Sequence, residues 1–465
     1  MGNGGKQDVD SRQVRDVFRR TVPRPFGAVR SLRIFWAVNE TPARSTKMGG
    51  NPRNPVPSYQ EIVALEQKYL LNTYARYPVA LARGKGVYLF DVDGKRYLDF
   101  LSGLGVNALG HAHPRFVKVV RELVAKVIHL SNLYYNEYQG LLAEKLCQKS
   151  GLDRAFFTNS GTEAVEGALK LVRAVGHATG GPQKMIVIAL ENSFHGRTMG
   201  ALALTAQEKY RKGFDPMLEG VRFVPRNDID ALRTAMDETV CGIMLEPIQG
   251  EGGIFENSPE FLRACREIAE QQHAALVFDE IQCGMGRTGR LFAFEHFGVT
   301  PDVVCIAKPM AAGFPMGAFL SKDWLAQHIT PGRHGTTFGG GPLACRIALE
   351  YLAILEDENL LEQVRRVGGY LTHKLQELVG KFSIATEARG VGMIQALQLT
   401  VPGKPILEAA MADGLMFNIT QDTVARFLPP FLLEEKHVDA GIRILKRHLA
   451  AAQKAAKQAK VTVST

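Results

Sequence analysis

From about residue 150 onward, short apolar runs alternate with helical patterns, and this alternation most restricts the fold of the 465-residue chain. The apolar runs are rich in β-branched residues and are typical of buried strands. They are AFFTN at 155–159, MIVIAL at 185–190, CGIMLE at 241–246, AALVFD at 274–279 and DVVCI at 302–306. The segment 260–272 has helical spacing between two of them. Such alternation predicts an α/β fold with a mostly parallel sheet and helices on both faces.

The two ends of the chain have a different texture. Residues 1–60 show little periodicity and are rich in Gly, Arg, Pro and Asn, so we expect a basic, flexible N-terminal extension. An organelle-targeting segment is an alternative, although Asp8, Asp10 and Asp16 count against it. Towards the other end, 359–378 and 435–459 are predicted to be long helices around a short strand at 392–399, which indicates a smaller C-terminal domain.

Charge and cysteine placement exclude several classes of function. The net charge of +9 arises in residues 1–60 and 446–465, and the rest of the chain is close to neutral. We therefore expect no nucleic-acid-binding face, and salt-sensitive DNA binding by the tails stays the weaker alternative. No apolar stretch is long enough to span a membrane. The six scattered cysteines form no C-x-x-C pair, which favours a reducing, cytoplasmic location.

An anion site is predicted where the strand 155–159 meets the next helix. Ser160, Gly161 and Thr162 lie at this junction. Free backbone N–H groups and the helix dipole attract a phosphate there, and a glycine allows a close approach. The alternative is a simple helix cap by Thr162.

Two charged residues follow buried strands. Asp279 ends one apolar run and Lys308 directly follows the next. In open α/β sheets, this edge is where ligands bind. A buried acid needs a partner, such as a cationic ring nitrogen, and a buried lysine can act as a Schiff-base nucleophile. The alternatives are a helix cap or a structural ion pair for the aspartate, and for the lysine an amine that reaches solvent.

Further candidates lie in three short motifs. SFHGRT at 193–198 contains Phe194, which could stack on a flat cofactor, and Arg197, which could bind a carboxylate; a core phenylalanine and a surface arginine are the alternative. HGTTFGGGP at 334–342 is a glycine-rich loop with paired hydroxyls, either a phosphate contact or a turn. His111 and His113 lack a third ligand of suitable spacing, so we expect a structural turn and no metal.

Together and in this order, the motifs resemble those of class III, fold-type I aminotransferases, which use pyridoxal 5′-phosphate. The resemblance extends from about residue 62 to the C-terminal helix and is greatest to the acetylornithine aminotransferase group. It is also carried by the segments 69–81, 84–114, 131–139, 246–253 and 284–295. It implies a large cofactor-binding domain over 106–344 and a smaller α+β domain over 345–465, which the segment 61–105 joins. The basic extension has no counterpart in the family.

The resemblance also implies how the cofactor is held. Lys308 matches the lysine that binds the cofactor aldehyde as a Schiff base and then moves a proton. Asp279 matches the carboxylate that keeps the pyridine nitrogen protonated. The remaining cofactor contacts are the ring-oxygen partner Gln282, the ring-covering Phe194 and Ile281, the phosphate-binding Ser160, Gly161 and Thr162, and Thr337. In this family Thr337 comes from the other subunit, so a homodimer with shared active sites is implied.

Substrate contacts follow from the same resemblance. Arg197 matches the arginine that binds the distal carboxylate of both substrates, and Arg426 matches the one that binds the carboxylate adjacent to the reacting amine of glutamate. Glu251 matches the acid that pairs with that second arginine when the other substrate is bound. Tyr74 and Thr336 are further substrate-contact candidates.

The implied activity is transfer of an amino group from N2-acetyl-L-ornithine to 2-oxoglutarate, in arginine biosynthesis. Another class III ω-aminotransferase, acting on ornithine, succinylornithine or 4-aminobutyrate, is the alternative, because the catalytic residues hardly separate these donors. An aminomutase would need no external 2-oxoacid. A binding protein on an inactive scaffold is disfavoured by the intact Lys308 and Asp279.

Overall fold

The structure is a computed structural model and describes residues 57–463. The predicted extension over 1–60 lies outside the described residues except for 57–60. There, the first helix already begins at Tyr59, because Ser58 and Glu61 form a capping box. Within 57–463, none of the helices combines the length and apolar character that crossing a membrane requires.

The strands share one naming in chain order. They are β1 (Leu81–Lys85), β2 (Tyr88–Asp91), β3 (Arg96–Asp99), β4 (Arg154–Thr158), β5 (Ile186–Leu190), β6 (Val221–Val224), β7 (Val240–Leu245), β8 (Ile248–Gln249), β9 (Phe255–Glu256), β10 (Ala275–Asp279), β11 (Val303–Ile306), β12 (Gly317–Ser321), β13 (Ala385–Val391), β14 (Ile394–Leu399), β15 (Leu415–Met416), β16 (Asn418–Thr420) and β17 (Val424–Phe427).

The helices are named in the same way. They are α1 (Tyr59–Tyr69), α2 (Ser102–Gly105), α3 (Pro114–Val124), α4 (Gln139–Ser150), α5 (Gly161–Gly180), α6 (Met199–Ala203), α7 (Glu208–Arg211), α8 (Ile229–Ala235), α9 (Pro259–Gln271), α10 (Asp323–Ala326), α11 (Pro342–Asp357), α12 (Leu360–Lys381), α13 (Lys404–Ala412) and α14 (Glu435–Val463). Two short 3₁₀ turns lie at Ala293–His296 and Lys308–Ala311.

A seven-stranded sheet forms the centre, in the order β4-β12-β11-β10-β7-β5-β6. The strands β11, β10, β7, β5 and β6 pair in parallel, and β12 runs antiparallel to both of its neighbours, β11 and β4. The predicted α/β fold with a mostly parallel sheet is therefore confirmed. Each apolar run predicted as a strand contributes one of these strands, because runs this rich in buried aliphatic residues suit a sheet covered on both faces.

Both faces of this sheet are covered. Side chains alternate along β10, so that Leu276 and Phe278 belong to one apolar cluster and Ala275 and Val277 to another. The first cluster includes the buried face of α9 and the second that of α5. This arrangement leaves the carboxyl edge of the sheet free to hold polar side chains.

Two four-stranded sheets flank the centre. The sheet β1-β2-β3-β15 joins strands from the beginning and the end of the described chain, and β13-β14-β17-β16 is antiparallel throughout. The long helices predicted at 359–378 and 435–459 correspond to α12 and α14. The predicted domain boundaries at 105/106 and 344/345 stay predictions.

A buried arginine ties these parts together. Arg287 is fully buried, and its guanidinium donates hydrogen bonds to the carbonyl oxygens of Gly105, Met393 and Pro429. It also lies over the ring of Phe431, 4.7 Å from the ring centre. Burial lowers the pKa of Arg287 to about 10. The three carbonyls belong to distant segments, so this one side chain fixes their relative positions.

Candidate active site

A cavity of about 460 Å³ opens at the carboxyl edge of the central sheet. The predicted site residues that line it follow the ends of several strands, because ligands of open α/β sheets bind at the carboxyl ends of the strands. They are Ser160, Gly161, Thr162, Phe194, Arg197, Glu251, Asp279, Ile281, Gln282 and Lys308. The structure thus brings ten residues from five separate segments of the chain to one cavity.

Asp279 is buried at the end of β10, where its carboxylate contacts a histidine. Its Oδ2 lies 2.7 Å from Nδ1 of His195, and its Oδ1 accepts a hydrogen bond from the Ile281 N–H at 3.0 Å. Burial lowers the pKa of His195, but the bond to Asp279 and the charges of Asp279 and Glu246 outweigh it and raise the pKa overall. The carboxylate of Asp279 therefore lies in the cavity wall with the imidazole of His195 as its direct partner.

Lys308 opens the 3₁₀ turn that follows β11. Its Nζ has no hydrogen-bond or ion-pair partner among residues 57–463. Burial lowers the pKa of the amine, against the opposing charges of Glu251 and Asp279. A lysine of this kind is more often neutral near pH 7 than a solvent-exposed one, and only the neutral amine can attack a carbonyl or accept a proton.

The predicted anion site lies at the start of α5, and its three residues line the cavity. The helix is capped by Ser160, whose side chain accepts a hydrogen bond from the Glu163 N–H at 3.4 Å. The cap is therefore Ser160 and not Thr162, because Thr162 already lies within the first turn of α5; its hydroxyl lies 2.8 Å from that of Thr198. A Cβ on Gly161 would lie 2.8 Å from the Ile281 side chain, so only glycine fits between the helix and this residue.

Glu251 in the cavity wall forms an ion pair with Arg426, which does not itself line the cavity. Nη1 of the buried Arg426, on β17, lies 2.6 Å from Oε1 of Glu251 and 3.2 Å from Oε1 of Gln282. Burial raises the pKa of Glu251, but the charge and hydrogen bond of Arg426 outweigh it, and the pKa is lowered overall. The arginine charge is therefore compensated by a carboxylate that itself faces the cavity.

A second arginine lies at the exposed side of the cavity. The guanidinium of Arg197 stacks over the ring of Tyr210, 3.9 Å from its centre, and lies 5.5 Å from that of Phe194. The two rings meet edge to face at 5.6 Å. No carboxylate pairs with Arg197 among residues 57–463. Its charge is thus held in position by aromatic faces and is available to an anionic ligand.

Three predicted residues lie away from this cavity. Tyr74 is 73% exposed. Thr336 and Thr337 are on the loop that precedes α11, and Thr337 is exposed. Thr336 contacts the cavity lining through Asn159, whose side-chain amide donates to its hydroxyl at 3.2 Å. A single chain therefore does not bring these three side chains to the other site residues.

Two site residues were missed by the sequence analysis. Glu246 directly follows β7 and is buried; it accepts hydrogen bonds from the backbone N–H groups of Phe194 and Gly250, at 2.9 and 3.0 Å. Burial raises its pKa to about 7. The rule that found Asp279 and Lys308 would have found it, since it also stands at the carboxyl end of a strand. His195 was the other, and only its contact with Asp279 reveals its role.

These residues fit pyridoxal 5′-phosphate. The first N–H groups of α5 have no partner within the helix and suit a phosphate. Asp279 suits a protonated ring nitrogen, and the unpartnered amine of Lys308 suits an aldehyde. Phe194 and Ile281 supply apolar surface in the same cavity, whose volume accommodates a small aromatic ligand.

Comparison with known proteins agrees with this chemistry. Residues 69–449 match the aminotransferase class-III family. Acetylornithine aminotransferase of Methanocaldococcus jannaschii is 45% identical over 388 residues, which are 83% of this chain and 98% of that protein. The Aquifex aeolicus enzyme of the same name is 46% identical over 382 residues, 82% of this chain and all of that protein.

A solved structure is similar in fold as well. Ornithine aminotransferase from Toxoplasma gondii, with partial occupancy of pyridoxal phosphate at its active site, superposes with a TM-score of 0.83 and 30% identity. The match covers 86% of this chain and 96% of that one. Since the family match spans most of the sequence and the relatives match almost end to end, this chain is a member of the class-III aminotransferases.

Proposed function

We propose that this aminotransferase converts N2-acetyl-L-ornithine and 2-oxoglutarate into N-acetyl-L-glutamate 5-semialdehyde and L-glutamate, with pyridoxal 5′-phosphate as cofactor. The observation that carries the proposal is the 2.6 Å ion pair between Arg426 and Glu251, since Glu251 lines the same cavity as Lys308. The charge of Arg426 is neutralised when Glu251 pairs with it and is available to a substrate carboxylate when Glu251 turns away. A reaction with two dissimilar substrates requires both states.

The two substrates present different groups beside the reacting carbon. N-acetylornithine reacts at its terminal amine, with its carboxylate remote, whereas glutamate has one carboxylate adjacent and one remote. Arg197 is suited to the remote carboxylate of both. Arg426 is suited to the adjacent carboxylate of glutamate, and when Glu251 pairs with it the aliphatic end of N-acetylornithine meets no uncompensated buried charge.

The chain's own groups move and hold the protons. Lys308 Nζ removes the proton from the amine-bearing carbon of the substrate, and its lowered pKa favours the neutral amine that this step needs. Asp279 holds a proton on the ring nitrogen of the cofactor, and His195 supports the charge of Asp279. When bound, the cofactor supplies a conjugated ring that accepts the electron pair left on the substrate.

The visible absorbance of the cofactor-loaded protein tests the donor. Without any oxoacid, we expect the absorbance to fall at a lower concentration of N-acetylornithine than of ornithine or 4-aminobutyrate. Arg197→Met should raise the concentration required of N-acetylornithine at least about tenfold, one lost charged contact being worth more than 1.4 kcal/mol. Arg211→Met is the matched control, since Arg211 does not line the cavity.

The other outcomes are equally informative. A stronger response to ornithine or 4-aminobutyrate would retain the aminotransferase chemistry and reassign the donor. Protein that shows no visible band after pyridoxal phosphate is supplied would contradict the proposal as a whole.

We further infer that the enzyme works as a homodimer with shared active sites. Thr337 is exposed and away from its own cavity, and large apolar side chains near it are also exposed. They include Leu133, Tyr134, Tyr135 and Phe338, which are 66–104% exposed. Surface of this kind is typical of an interface.

We also propose a cytoplasmic location. The six cysteines are all unpaired, as is usual in a reducing compartment.

Complementation between two inactive variants tests the shared site. Co-expressed Lys308→Ala and Thr337→Asp chains should regain up to about a quarter of the parent activity, because half of the dimers are mixed and each has one intact site. Two Lys308→Ala chains with different tags are the control. No recovery in a sample that sediments as a mixed dimer would contradict the assignment of Thr337 to the neighbouring subunit's site.

A further inference from the structure

Strand β16 lies beside the strand that carries the arginine of the ion pair. Asn418 is the direct partner of Arg426 in the antiparallel register of β16 and β17. Its side-chain Oδ1 accepts a hydrogen bond from Nε of Arg426 at 3.1 Å. Neither Asn418 nor Arg426 lines the cavity, and Asn418 contacts a different nitrogen of the guanidinium from Glu251 and Gln282, which do line it.

The guanidinium of Arg426 therefore has two kinds of partner. Nη1 contacts the carboxylate of Glu251 and the amide oxygen of Gln282, and Nε contacts the amide oxygen of Asn418. Among these acceptors only Glu251 carries a charge. The side chain of Arg426 is 1% exposed and that of Glu251 is 21% exposed, so the carboxylate is the partner with room to move.

The backbone of Glu251 is held by the same part of the chain. The Thr420 hydroxyl and the Gln421 side-chain amide both donate to the Glu251 carbonyl oxygen, at 2.7 and 2.9 Å. Release of Arg426 by Glu251 is therefore a rotation of the glutamate side chain about a fixed backbone. The segment 418–421 thus contacts both members of the ion pair.

We propose that Asn418 is a positioning residue that determines specificity, a role that rests on the function proposed above. When Glu251 turns away, the bond from Nε to Asn418 keeps the guanidinium in place. Because the amide of Asn418 is neutral, it does so without cancelling the charge that the adjacent carboxylate of glutamate needs. A neutral acceptor at Nε and a charged, movable acceptor at Nη1 together allow both substrates to use one site.

Asn418→Asp tests this role, because it keeps the shape and adds a permanent charge. We expect the KM for glutamate and for 2-oxoglutarate to rise at least about tenfold, as a fixed counter-charge competes with the substrate carboxylate. The kcat/KM for N-acetylornithine should stay within about threefold, since this donor does not use Arg426. Asn359→Asp is the matched control, an exposed asparagine outside the cavity.

Binding of glutarate supplies a readout that does not depend on turnover. This unreactive dicarboxylate should bind the cofactor-loaded Asn418→Asp variant at least about tenfold more weakly than the parent, by titration calorimetry. Asn418→Leu, which removes the acceptor and adds no charge, should weaken glutarate binding by a smaller factor. It also keeps the test available if the aspartate variant does not fold.

The outcomes separate this proposal from the one on which it rests. A parent enzyme that does not use glutamate or bind glutarate would contradict the proposed function first. If the parent uses both substrates, but Asn418→Asp leaves glutarate binding unchanged or lowers kcat/KM equally for both donors, Asn418 is only structural and the proposal is wrong.

Discussion

Lys308→Ala is expected to lower the kcat for transamination at least about a thousandfold, the range associated with loss of a positioned general base. The Lys308 amine lines the cavity, has no hydrogen-bond or ion-pair partner within residues 57–463, and has a pKa that burial lowers. The variant should still bind pyridoxal phosphate non-covalently, because the start of α5 and Asp279 are unchanged. Turnover and the cofactor content after gel filtration are the two measurements.

Lys322→Ala provides the control for this experiment. Its amine donates to the Gly151 carbonyl at 2.6 Å, outside the cavity, and its removal should leave turnover within about twofold of the parent. Retention of more than about a tenth of the parent turnover by Lys308→Ala would show that another group moves the proton, and the proposed mechanism would be wrong.

Asp279→Asn is expected to lower kcat about a hundredfold or more, with little change of shape. The amide cannot supply the charge that keeps a proton on the ring nitrogen, so the electron pair left on the substrate is stabilised less well. The substitution also removes the charged partner of the buried His195. Steady-state turnover of the loaded enzyme measures the first effect, with the exposed Asp357→Asn as control.

The same variant has a predicted pH signature in stability. The pKa of His195 is raised in the folded protein, so the bond to Asp279 stabilises the fold fully below the unfolded value of about 6.5 and progressively less as pH rises through the folded value. The difference in unfolding free energy between parent and variant should therefore be larger at pH 6 than at pH 9. Equal differences at both pH values in denaturant titrations would contradict a charged pair.

Much of the site could be predicted from the sequence, because many of its residues directly follow strands. Asp279 and Lys308 each stand at the carboxyl end of an apolar run, and parallel strands bring such ends to one edge. Arg426 lies more than a hundred residues further on, in a different sheet, and only the family resemblance connected it with Glu251. No local pattern predicts that meeting.

Other parts of the site could not be read from the sequence. Asn418 contacts Arg426 through the register of β16 and β17, and a shift by one residue would have placed it on the opposite face. Tyr74 and Thr337 are exposed and do not line the cavity, so the roles that the resemblance implies for them stay predictions.

The reversed strand in the central sheet has a consequence for how the lysine moves. A parallel neighbour to β11 would require a long crossover, whereas the antiparallel β12 is reached through the single short loop 307–316, which contains Lys308. The loop returns at Gly317, where a Cβ would lie 2.6 Å from the Ser160 carbonyl oxygen. Eight of the ten loop residues are buried or partly buried, and Lys308–Ala311 form a 3₁₀ turn, so the loop has little freedom to rearrange when a ligand arrives. The lysine can therefore change partners by rotating its own side-chain bonds, at a rate set by rotamer exchange and not by refolding of a loop.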